Sequence, residues 1–415
     1  MTVPTVPTAP TAPTVPNAAL IAGYARTPFV RFTGRLATEP ATALGAHAAK
    51  AALARAGVSP EQVDMLVAGQ VLQAGAGQNP ARQTAVGAGI PMTVPAITVN
   101  AVCLSGTEAV SQAVRLIRAG EAEIVVAVGQ ESMSLAPHAV RMRAGVKYGT
   151  AEMIDTVDHD GLTDAFDRAA MGVLTEQGNE PLGLTRAEQD AFAAASHRRA
   201  AASAEFFAGE IEPYAVVSRR GETLVEADDG IRAETTAETL GALRPAFAKD
   251  GTITAGNASQ ITDGAAALVL VSEAAAARLG LAPIARVEAT AFVAGPDTQL
   301  HSQPARGISA ALAKVRGGAA ADATAAATAA DLAVVEINEA FAAVGVQSGR
   351  ELGLDAAIVN PHGGAIALGH PIGASGARIV GTLARQLAAL GSGSLGAAGI
   401  CGGGGQGSAV ILRAL

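Results

Sequence analysis

Three short segments of the first third of the chain recur, in the same order, in the last third. The pairs are Asp64-Met-Leu-Val-Ala with Asp331-Leu-Ala-Val-Val, Thr98-Val-Asn-Ala-Val-Cys with Ile358-Val-Asn-Pro-His-Gly, and Glu123-Ile-Val-Val-Ala-Val-Gly with Leu395-Gly-Ala-Ala-Gly-Ile-Cys. Residue identity within the pairs is loose, but the order of strand and helix signals is preserved. Such a repeat predicts two similar halves that pack together, with the chemistry at corresponding loops of both.

Within each half, apolar strand signals alternate with helical periodicity. Residues 43–56 have apolar side chains at helical spacing and end at Gly57, and residues 108–118 show the same pattern before Gly120. The short apolar segments between such helices are typical of buried strands. Strands and helices in this alternating order predict a layered α/β fold.

The pattern divides the chain into four parts. Residues 1–16 repeat Thr-Val-Pro and Thr-Ala-Pro, a composition that favours extended, disordered backbone. Residues 132–256 carry more charge and less regular patterning, so we expect an inserted loop domain that lies over the layered core. The N-terminal half is then residues 17–131 with 257–281, and the C-terminal half is residues 282–415.

A helix is predicted inside the inserted segment. Thr185 is followed three residues later by Glu188, which is typical of a capping box, and helical signals continue to Phe207. The Ala-rich residues 317–330 are interpreted as an exposed helix or linker without a function of their own.

Composition argues against several classes of function. The 415 residues carry a net charge of −8, which disfavours nucleic-acid binding because phosphate neutralisation needs clustered Lys and Arg. We find no signal peptide and no apolar segment long enough to span a bilayer, so we expect a cytoplasmic location, free thiols and no membrane partner. The seven histidines are spread without metal-ligand spacing, so no metal site is expected. A hydrophobic fraction of 49 % is compatible with additional burial in a homo-oligomer.

The chain has two cysteines, each in a stretch of small residues. Cys103 follows a predicted strand at 96–100 and precedes a predicted helix, whose N-terminal N–H groups would favour the nucleophilic thiolate. A buried structural cysteine is an equally good interpretation. Cys401 precedes four glycines, where backbone N–H groups can approach a ligand oxygen freely. Because no helix or βαβ unit follows, a phosphate-binding loop is rejected here.

Two further side chains are candidates for proton transfer and oxyanion binding. His370 lies between a glycine and a proline, which predicts a fixed ring that can take the Cys103 proton and later donate to an oxyanion. Asn338 follows a predicted strand at 332–336, where its amide can hold a water or an oxyanion. A helix N-cap is the simpler interpretation of Asn338.

From about Ile21 to its C-terminus, the chain resembles the thiolases in a series of short motifs and in the order in which they occur. The motifs are Arg26-Thr-Pro-Phe, Gln78-Asn-Pro-Ala-Arg-Gln, Glu131-Ser-Met-Ser, Thr254-Ala-Gly-Asn-Ala-Ser, Asn338-Glu-Ala-Phe-Ala, Gly369-His-Pro-Ile-Gly-Ala-Ser-Gly-Ala-Arg and Cys401-Gly-Gly-Gly. The resemblance implies a five-layered αβαβα fold of two related halves with an inserted loop domain that binds coenzyme A. It also implies homodimers or homotetramers.

The resemblance implies an activity as well, the reversible condensation of two acetyl-CoA molecules to acetoacetyl-CoA and CoA. Cys103 would carry the acyl group, and Cys401 would take the α-proton. His370, with a water on Asn338, would form one oxyanion site, and the N–H groups of Cys103 and Gly403 would form a second. Substrates would be acetyl-CoA and acetoacetyl-CoA or another 3-ketoacyl-CoA, and no cofactor is expected besides these thioesters.

By the same resemblance, several residues would bind the coenzyme A part of the substrate. Those expected along the pantetheine are Leu162, Met171, Ala255, Ser259 and Phe341. Arg219 and Arg220 are the candidates for its anionic nucleotide end, against the alternative of a solvated surface pair.

Some positions depart from the family's usual residues and put the acyl chain-length preference in doubt. Short-chain members usually carry His where this chain has Ala170, and Gly and Asn where it has Gln260 and Thr262. His301-Ser-Gln-Pro also replaces the common Gly-Pro-x-Pro. Two alternatives therefore stay open: a degradative 3-ketoacyl-CoA thiolase of broader chain length, and a non-catalytic acyl-CoA-binding protein on the same fold.

Overall fold

The structure, a computed structural model, describes residues 17–219, 221–316 and 326–415. The predicted disordered tail at 1–16 lies outside the described residues. Most of the Ala-rich segment interpreted as an exposed helix or linker lies outside them too.

The described residues form a mixed α/β architecture. The strands are β1 (Ala19–Arg26), β2 (Val30–Arg31), β3 (Met65–Gly69), β4 (Ala96–Val99), β5 (Ile124–Glu131), β6 (His138–Ala139), β7 (Ile154–Asp155), β8 (Tyr214–Ser218), β9 (Gly221–Val225), β10 (Thr262–Ser272), β11 (Ala285–Ala294), β12 (Leu332–Ile337), β13 (Leu395–Gly402) and β14 (Gln406–Ala414). The helices are α1 (Ala41–Ala56), α2 (Pro80–Gly87), α3 (Ser105–Ala119), α4 (Met171–Asn179), α5 (Arg186–Ala201), α6 (Ala204–Ala208), α7 (Ala237–Gly241), α8 (Glu273–Leu279), α9 (Gln303–Leu312), α10 (Ala342–Leu352), α11 (Ala365–Leu368) and α12 (Ser375–Leu390).

The strands of the two halves follow the same pairing order. In the first half, β3 runs parallel to β5, β5 antiparallel to β10, and β10 antiparallel to β1. In the second half, β12 runs parallel to β13, β13 antiparallel to β14, and β14 antiparallel to β11. The repeated sequence segments therefore occupy equivalent strands, β3 with β12 and β5 with β13. A short antiparallel pairing of β1 with β11 joins the two series into one sheet path.

Five layers result from the way the helices cover these strands. The helices α1 and α2 pack on the outer face of the first series, and α9 on the outer face of the second. Between the two series lie α3 and α12, whose apolar side chains meet the inner faces of both. This arrangement confirms the predicted αβαβα fold.

Glycine allows helices to approach the sheet closely, which suits a chain with only 3 % aromatic residues. A Cβ added at Gly23 of β1 would lie 2.4 Å from the Ala52 carbonyl oxygen of α1. A Cβ added at Gly69 of β3 would lie 2.4 Å from the Ser105 carbonyl oxygen at the start of α3. Dispersion contacts between backbones thus replace the contacts of large rings.

Local signals placed most helix ends correctly, with one error. The helix α1 ends at Gly57 and α3 at Gly120, both in the left-handed conformation. The predicted capping box at Thr185 and Glu188 starts α5. The helix does not continue to Phe207, because α5 ends at Ala201 and α6 begins separately at Ala204. Ser203, between them, donates its hydroxyl hydrogen to the Arg199 carbonyl and leaves the helical conformation.

Candidate active site

A cavity of about 550 Å³ lies between the inserted segment and the layered core. Nine of the predicted site residues line it: Cys103, His370, Cys401, Gly403, Leu162, Met171, Ala255, Ser259 and Phe341. The two cysteines, almost three hundred residues apart in sequence, are both free thiols facing this one space. The fold therefore concentrates the predicted chemistry at a single site.

The backbone before Cys103 is strained. Cys103 lies in the turn between β4 and α3, and Val102 just before it has a φ of +53°. A β-branched residue in this region is an outlier that costs on the order of 1–3 kcal/mol and usually marks a functional constraint. The Val102 N–H donates to Asn100 Oδ1 at 2.9 Å, and the Ala101 N–H donates to Ser105 Oγ at 2.9 Å. These bonds hold the turn that directs Cys103 into the cavity.

The Cys103 thiol is protonated in the free protein at neutral pH. Burial raises the pKa of Cys103 to about 11, and hydrogen bonds from the backbone N–H groups of Gly403 and of Cys103 itself oppose that rise. The expected thiolate at the start of α3 is therefore not the resting form, because the loss of solvation outweighs the nearby N–H groups. To act as the predicted nucleophile, Cys103 needs a neighbouring base.

His370 has the geometry and protonation state of such a base. Its Nδ1 lies 2.6 Å from Ser375 Oγ, and that hydroxyl donates in turn to the Pro371 carbonyl at 3.1 Å. With the hydroxyl hydrogen used in this way, Nδ1 carries the ring hydrogen and donates it to Ser375 Oγ. The other nitrogen, Nε2, is buried with no protein partner, and it is therefore the free acceptor of a ring that lines the cavity.

Burial, followed by the positive charge of Arg378, lowers the pKa of His370 to about 3. The ring is thus neutral at physiological pH and can accept a proton. Its backbone is also held, because the His370 N–H donates to the Gln260 carbonyl at 3.0 Å and Gly369 has a φ of +105°. A side chain at Gly369 would be strained, which accounts for glycine at that position.

Asn338 is buried directly behind His370. Its Nδ2 lies 3.5 Å from His370 Nδ1, and its Oδ1 has no hydrogen-bond partner. It is not the N-cap of the following helix, since α10 begins at Ala342 after the N-cap Phe341. That observation removes the simpler interpretation of Asn338. Its role in an oxyanion site stays a prediction, because Asn338 does not itself line the cavity.

Cys401 lies at the end of β13, opposite Cys103. It is 1 % exposed, and burial, followed by the proximity of Cys103, raises its pKa well above the usual range. A thiol with a raised pKa is a strong base once it is ionised. The glycine turn at 403–405 follows it and connects β13 to β14.

The structure adds cavity residues that the sequence analysis missed. Phe247 packs edge-to-face on Phe341 with ring centroids 6.1 Å apart, and Arg232 and Asp158 also line the cavity. Among the described residues that line it, Arg232 has the only permanent positive charge. The one sequence feature that could have drawn attention to Phe247 is that phenylalanine is scarce, with nine in the whole chain. No local pattern indicated Arg232.

The predicted arginine pair is not brought to this cavity. Arg219 lies exposed in the turn between β8 and β9 and is not among the residues that line the cavity. Arg220 lies outside the described residues. Their contact with the nucleotide end stays a prediction.

Neither a metal site nor a membrane-spanning helix occurs in the described parts of the chain. Residues 17–219, 221–316 and 326–415 contain no group of three or more His, Cys, Asp or Glu side chains arranged to hold a metal ion. Within those same ranges no helix has the length and apolar character that crossing a membrane requires.

Comparisons with known proteins agree with the fold. The family description "Thiolase, N-terminal domain" matches residues 19–274, and "Thiolase, C-terminal domain" matches residues 281–414. A probable acetyl-CoA acetyltransferase of Mycolicibacterium smegmatis is 52 % identical over 95 % of this chain and 100 % of its own length. The acetyl-CoA acetyltransferase of Rhizobium meliloti is 47 % identical over 95 % of this chain and 98 % of its own.

Two solved structures are equally similar in shape. The Bacillus anthracis acetyl-CoA acetyltransferase has a TM-score of 0.90 and 37 % identity, and human mitochondrial 3-ketoacyl-CoA thiolase has a TM-score of 0.90 and 36 % identity. Each comparison covers 96 % of this chain and 99 % of the other. The two family matches, the repeated strand order and the similarity over nearly the full length show that this chain belongs to the thiolase family.

Proposed function

We propose that the protein is an acetyl-CoA C-acetyltransferase that condenses two acetyl-CoA molecules to acetoacetyl-CoA and CoA and also catalyses the reverse cleavage. One observation carries this proposal. The protonated thiols of Cys103 and Cys401 line the same cavity as the neutral ring of His370, whose Nε2 has no protein partner. The relatives named acetyl-CoA acetyltransferase support the same reaction.

The first half-reaction transfers an acetyl group to Cys103. Its sulfur attacks the thioester carbonyl carbon while its proton passes to Nε2 of His370. The carbonyl oxygen becomes negative and receives hydrogen bonds from the N–H groups of Cys103 and Gly403. The carbon–sulfur bond to CoA then breaks, and the departing thiolate takes the proton from His370.

The second half-reaction forms the new carbon–carbon bond. Cys401 first passes its thiol proton to Nε2 of His370, and the resulting Cys401 thiolate takes a proton from the methyl carbon of a second acetyl-CoA. His370, now carrying hydrogen on Nε2, stabilises the enolate oxygen together with Asn338. The enolate carbon attacks the acetyl carbonyl on Cys103, whose thiolate departs as acetoacetyl-CoA forms. The Cys103 thiolate takes the proton held by His370, and Cys401 keeps the proton from the methyl carbon, so both thiols and the neutral histidine are restored. Oxyanion donors are worth a few kcal/mol each in such steps.

The cavity walls fit the rest of a coenzyme A thioester. Leu162, Phe247 and Phe341 provide apolar contact for a pantetheine arm, and Arg232 provides a cation for an anionic group. The two half-reactions use only the thiols, the imidazole and the hydrogen-bond donors of the protein, so we propose that no cofactor is required. Activity retained after dialysis against a chelator would agree with this, and activity restored only by an added metal would contradict it.

The acetyl-enzyme is the test of the proposal. Incubation with acetyl-CoA should add one acetyl group to Cys103, detected by intact-protein and peptide mass spectrometry, and Cys103→Ala should remain unmodified. Absence of the adduct in the wild type would favour the non-catalytic acyl-CoA-binding protein.

The degradative 3-ketoacyl-CoA thiolase remains the second candidate. The human mitochondrial 3-ketoacyl-CoA thiolase supports it, because its TM-score to this chain equals that of the bacterial acetyltransferase. The small side chain of Ala170 on the cavity wall also supports it. Cleavage rates of acetoacetyl-CoA and of a long 3-ketoacyl-CoA separate the two. A higher kcat/KM for the long substrate would replace our assignment.

We also propose a cytoplasmic homo-oligomer, a dimer or a tetramer. Among the described residues β4 pairs only with β3, so the other edge of this strand is open, and Met92 and Ile97 are exposed beside it. An open edge with apolar neighbours can pair with the same strand of a second copy. Light scattering of the purified protein measures the mass of the assembly, and cell fractionation tests the location.

A further inference from the structure

The turn between β13 and β14 consists of glycines alone. Gly403, Gly404 and Gly405 follow Gly402, the last residue of β13, and φ is +74° at Gly404 and +64° at Gly405. Without Cβ atoms, such a segment can adopt many orientations. Nevertheless, the Gly403 N–H is directed at the Cys103 sulfur. Contacts from outside the turn must therefore orient it.

Hydrogen bonds at the next peptide group supply that orientation. The Gly404 N–H donates to Oδ2 of Asp164 at 3.2 Å, and the Gly403 carbonyl accepts from Nε2 of Gln406 at 3.2 Å. The peptide plane between Gly403 and Gly404 is thus held at both ends. This plane adjoins the one that carries the Gly403 N–H, so its rotation would turn that donor away from Cys103.

The Asp164 carboxylate is itself held firmly. Asp164 is 3 % exposed, and its Oδ1 accepts from the backbone N–H groups of Phe166 at 2.8 Å and Asp167 at 2.9 Å. Its own N–H donates to the Ala169 carbonyl at 2.9 Å. One carboxylate oxygen therefore closes the loop of the inserted segment, and the other reaches the glycine turn. Hydrogen bonds to an ionised acceptor are roughly twice as strong as neutral ones.

We propose that Asp164 is a positioning residue for acyl transfer. Its carboxylate holds the Gly404 amide so that the adjacent Gly403 N–H faces the oxygen that becomes negative when Cys103 is acetylated. The inference rests on the proposed function. Asp164 does not line the cavity, so it acts through the glycine turn and not on the substrate.

The variant Asp164→Asn separates the two roles of this side chain. Asparagine suits such a turn, and its single amide oxygen can keep the bonds from Phe166 and Asp167. Its NH₂ group then faces the Gly404 N–H, and two donors cannot bond. Asp167→Asn is the matched control, because it makes the same change in the same loop at an exposed side chain that bonds Thr298 Oγ1.

Rapid-quench acetylation of Cys103 and steady-state kinetics give the readout. Loss of a whole oxyanion donor costs about 10²–10³ in kcat, so we expect Asp164→Asn to slow acetylation and kcat by about 10- to 100-fold, with KM for acetyl-CoA within about twofold. Asp167→Asn should stay within about twofold of the wild type in both. The proposal would be overturned if Asp164→Asn is acetylated at the wild-type rate, or if only its KM for acetyl-CoA changes. An equal loss of acetylation rate and kcat in Asp167→Asn would also overturn it.

Two controls keep the result interpretable. If circular dichroism shows that Asp164→Asn is unfolded, Asp164→Ser, whose hydroxyl still suits the turn but is neutral and shorter, must show the same loss of kcat. A wild-type protein that acetyl-CoA fails to acetylate would refute the proposed function itself. If the wild type is acetylated and the Asp164 variant has the same acetylation rate and kcat, only the positioning role of Asp164 is refuted.

Discussion

At the scale of single residues, the two thiols and the histidine of the candidate site are all uncharged in the free protein at neutral pH. Burial raises the pKa of both thiols and lowers that of His370, so no member of the set carries a charge at neutral pH in the free protein. In the proposed mechanism, the proton therefore moves from Cys103 to His370 while the new bond to the acyl carbon forms. The arrangement avoids the cost of a buried ion pair before substrate arrives.

The pH dependence of alkylation tests this neutral resting state. Because the pKa of Cys103 is raised to about 11, the rate of its reaction with iodoacetamide should keep rising with pH above about 9 in the free enzyme. The rate is measured by mass spectrometry of the Cys103 peptide, with a small free thiol as the reference. A plateau reached below about pH 8 would mean a preformed thiolate and would contradict this interpretation.

The division of labour between the thiols gives a second prediction. Cys401→Ser should still acquire an acetyl group on Cys103, because that step does not use Cys401. Condensation should fall by about 10² or more, since general base catalysis contributes about 10²–10⁴ and a hydroxyl is a poorer proton acceptor. Single-turnover acetylation and steady-state condensation are compared in the same preparation. Normal condensation by the variant would reject Cys401 as the base.

At the scale of elements, α5 of the inserted segment supports the loop that carries His370. Ser196 on α5 donates to Glu339 Oε2 at 2.7 Å and accepts from the Gly364 N–H at 3.0 Å, just before α11. Glu339 also accepts from the Ile366 N–H at 3.0 Å. The helix α5 is thus connected through α11 to the loop that carries His370.

Loss of the cap of α5 should lower stability. In the capping box, the Glu188 N–H donates to Thr185 Oγ1 at 3.2 Å and the Thr185 N–H donates to Glu188 Oε2 at 2.9 Å. Thr185→Ala removes the hydroxyl acceptor and should reduce the free energy of unfolding by about 1 kcal/mol. Urea unfolding measures the change. Thr185→Ser, which keeps the hydroxyl, is the control, and equal stability of Ala and wild type would show that the cap contributes nothing.

At the scale of the whole molecule, a buried histidine connects the inserted segment to the second half. His301, before α9, has its Nε2 2.9 Å from Asn179 Oδ1 at the end of α4. Burial lowers the pKa of His301 to about 4. The folded state therefore favours the neutral ring of His301. The contribution of His301 to the free energy of unfolding is fully present above the histidine pKa of the unfolded chain, near 6.5, and is lost as the pH falls towards 4.

A His301 variant should flatten the acid side of the stability curve. The shift of the pKa to about 4 corresponds to at most about 3 kcal/mol, lost between about pH 6.5 and pH 4, and His301→Gln should remove that part of the pH dependence. Free energies of unfolding at a series of pH values give the slope. Equal slopes for wild type and His301→Gln would rule out the assignment.

Much of the fold was predictable because its signals are local. Glycines at 57 and 120 end helices through their own backbone freedom, and the box at Thr185 and Glu188 spans four residues. The repeated strands follow from hydrophobic patterns within each segment. The break between α5 and α6 was missed, because the hydroxyl of Ser203 also bonds His362, which is distant in sequence.

The sequence alone determined the layered class and the two related halves, and it singled out Cys103, His370 and Cys401 as the candidate chemical groups. Only the tertiary structure decided that they share one cavity, that the resting thiols are neutral, and that Arg232 and Asp164 lie at or beside the site while Arg219 does not. Periodicity and turn chemistry act over a few residues, and their signals can be read along the chain. Burial and distance depend on how segments far apart in sequence pack together.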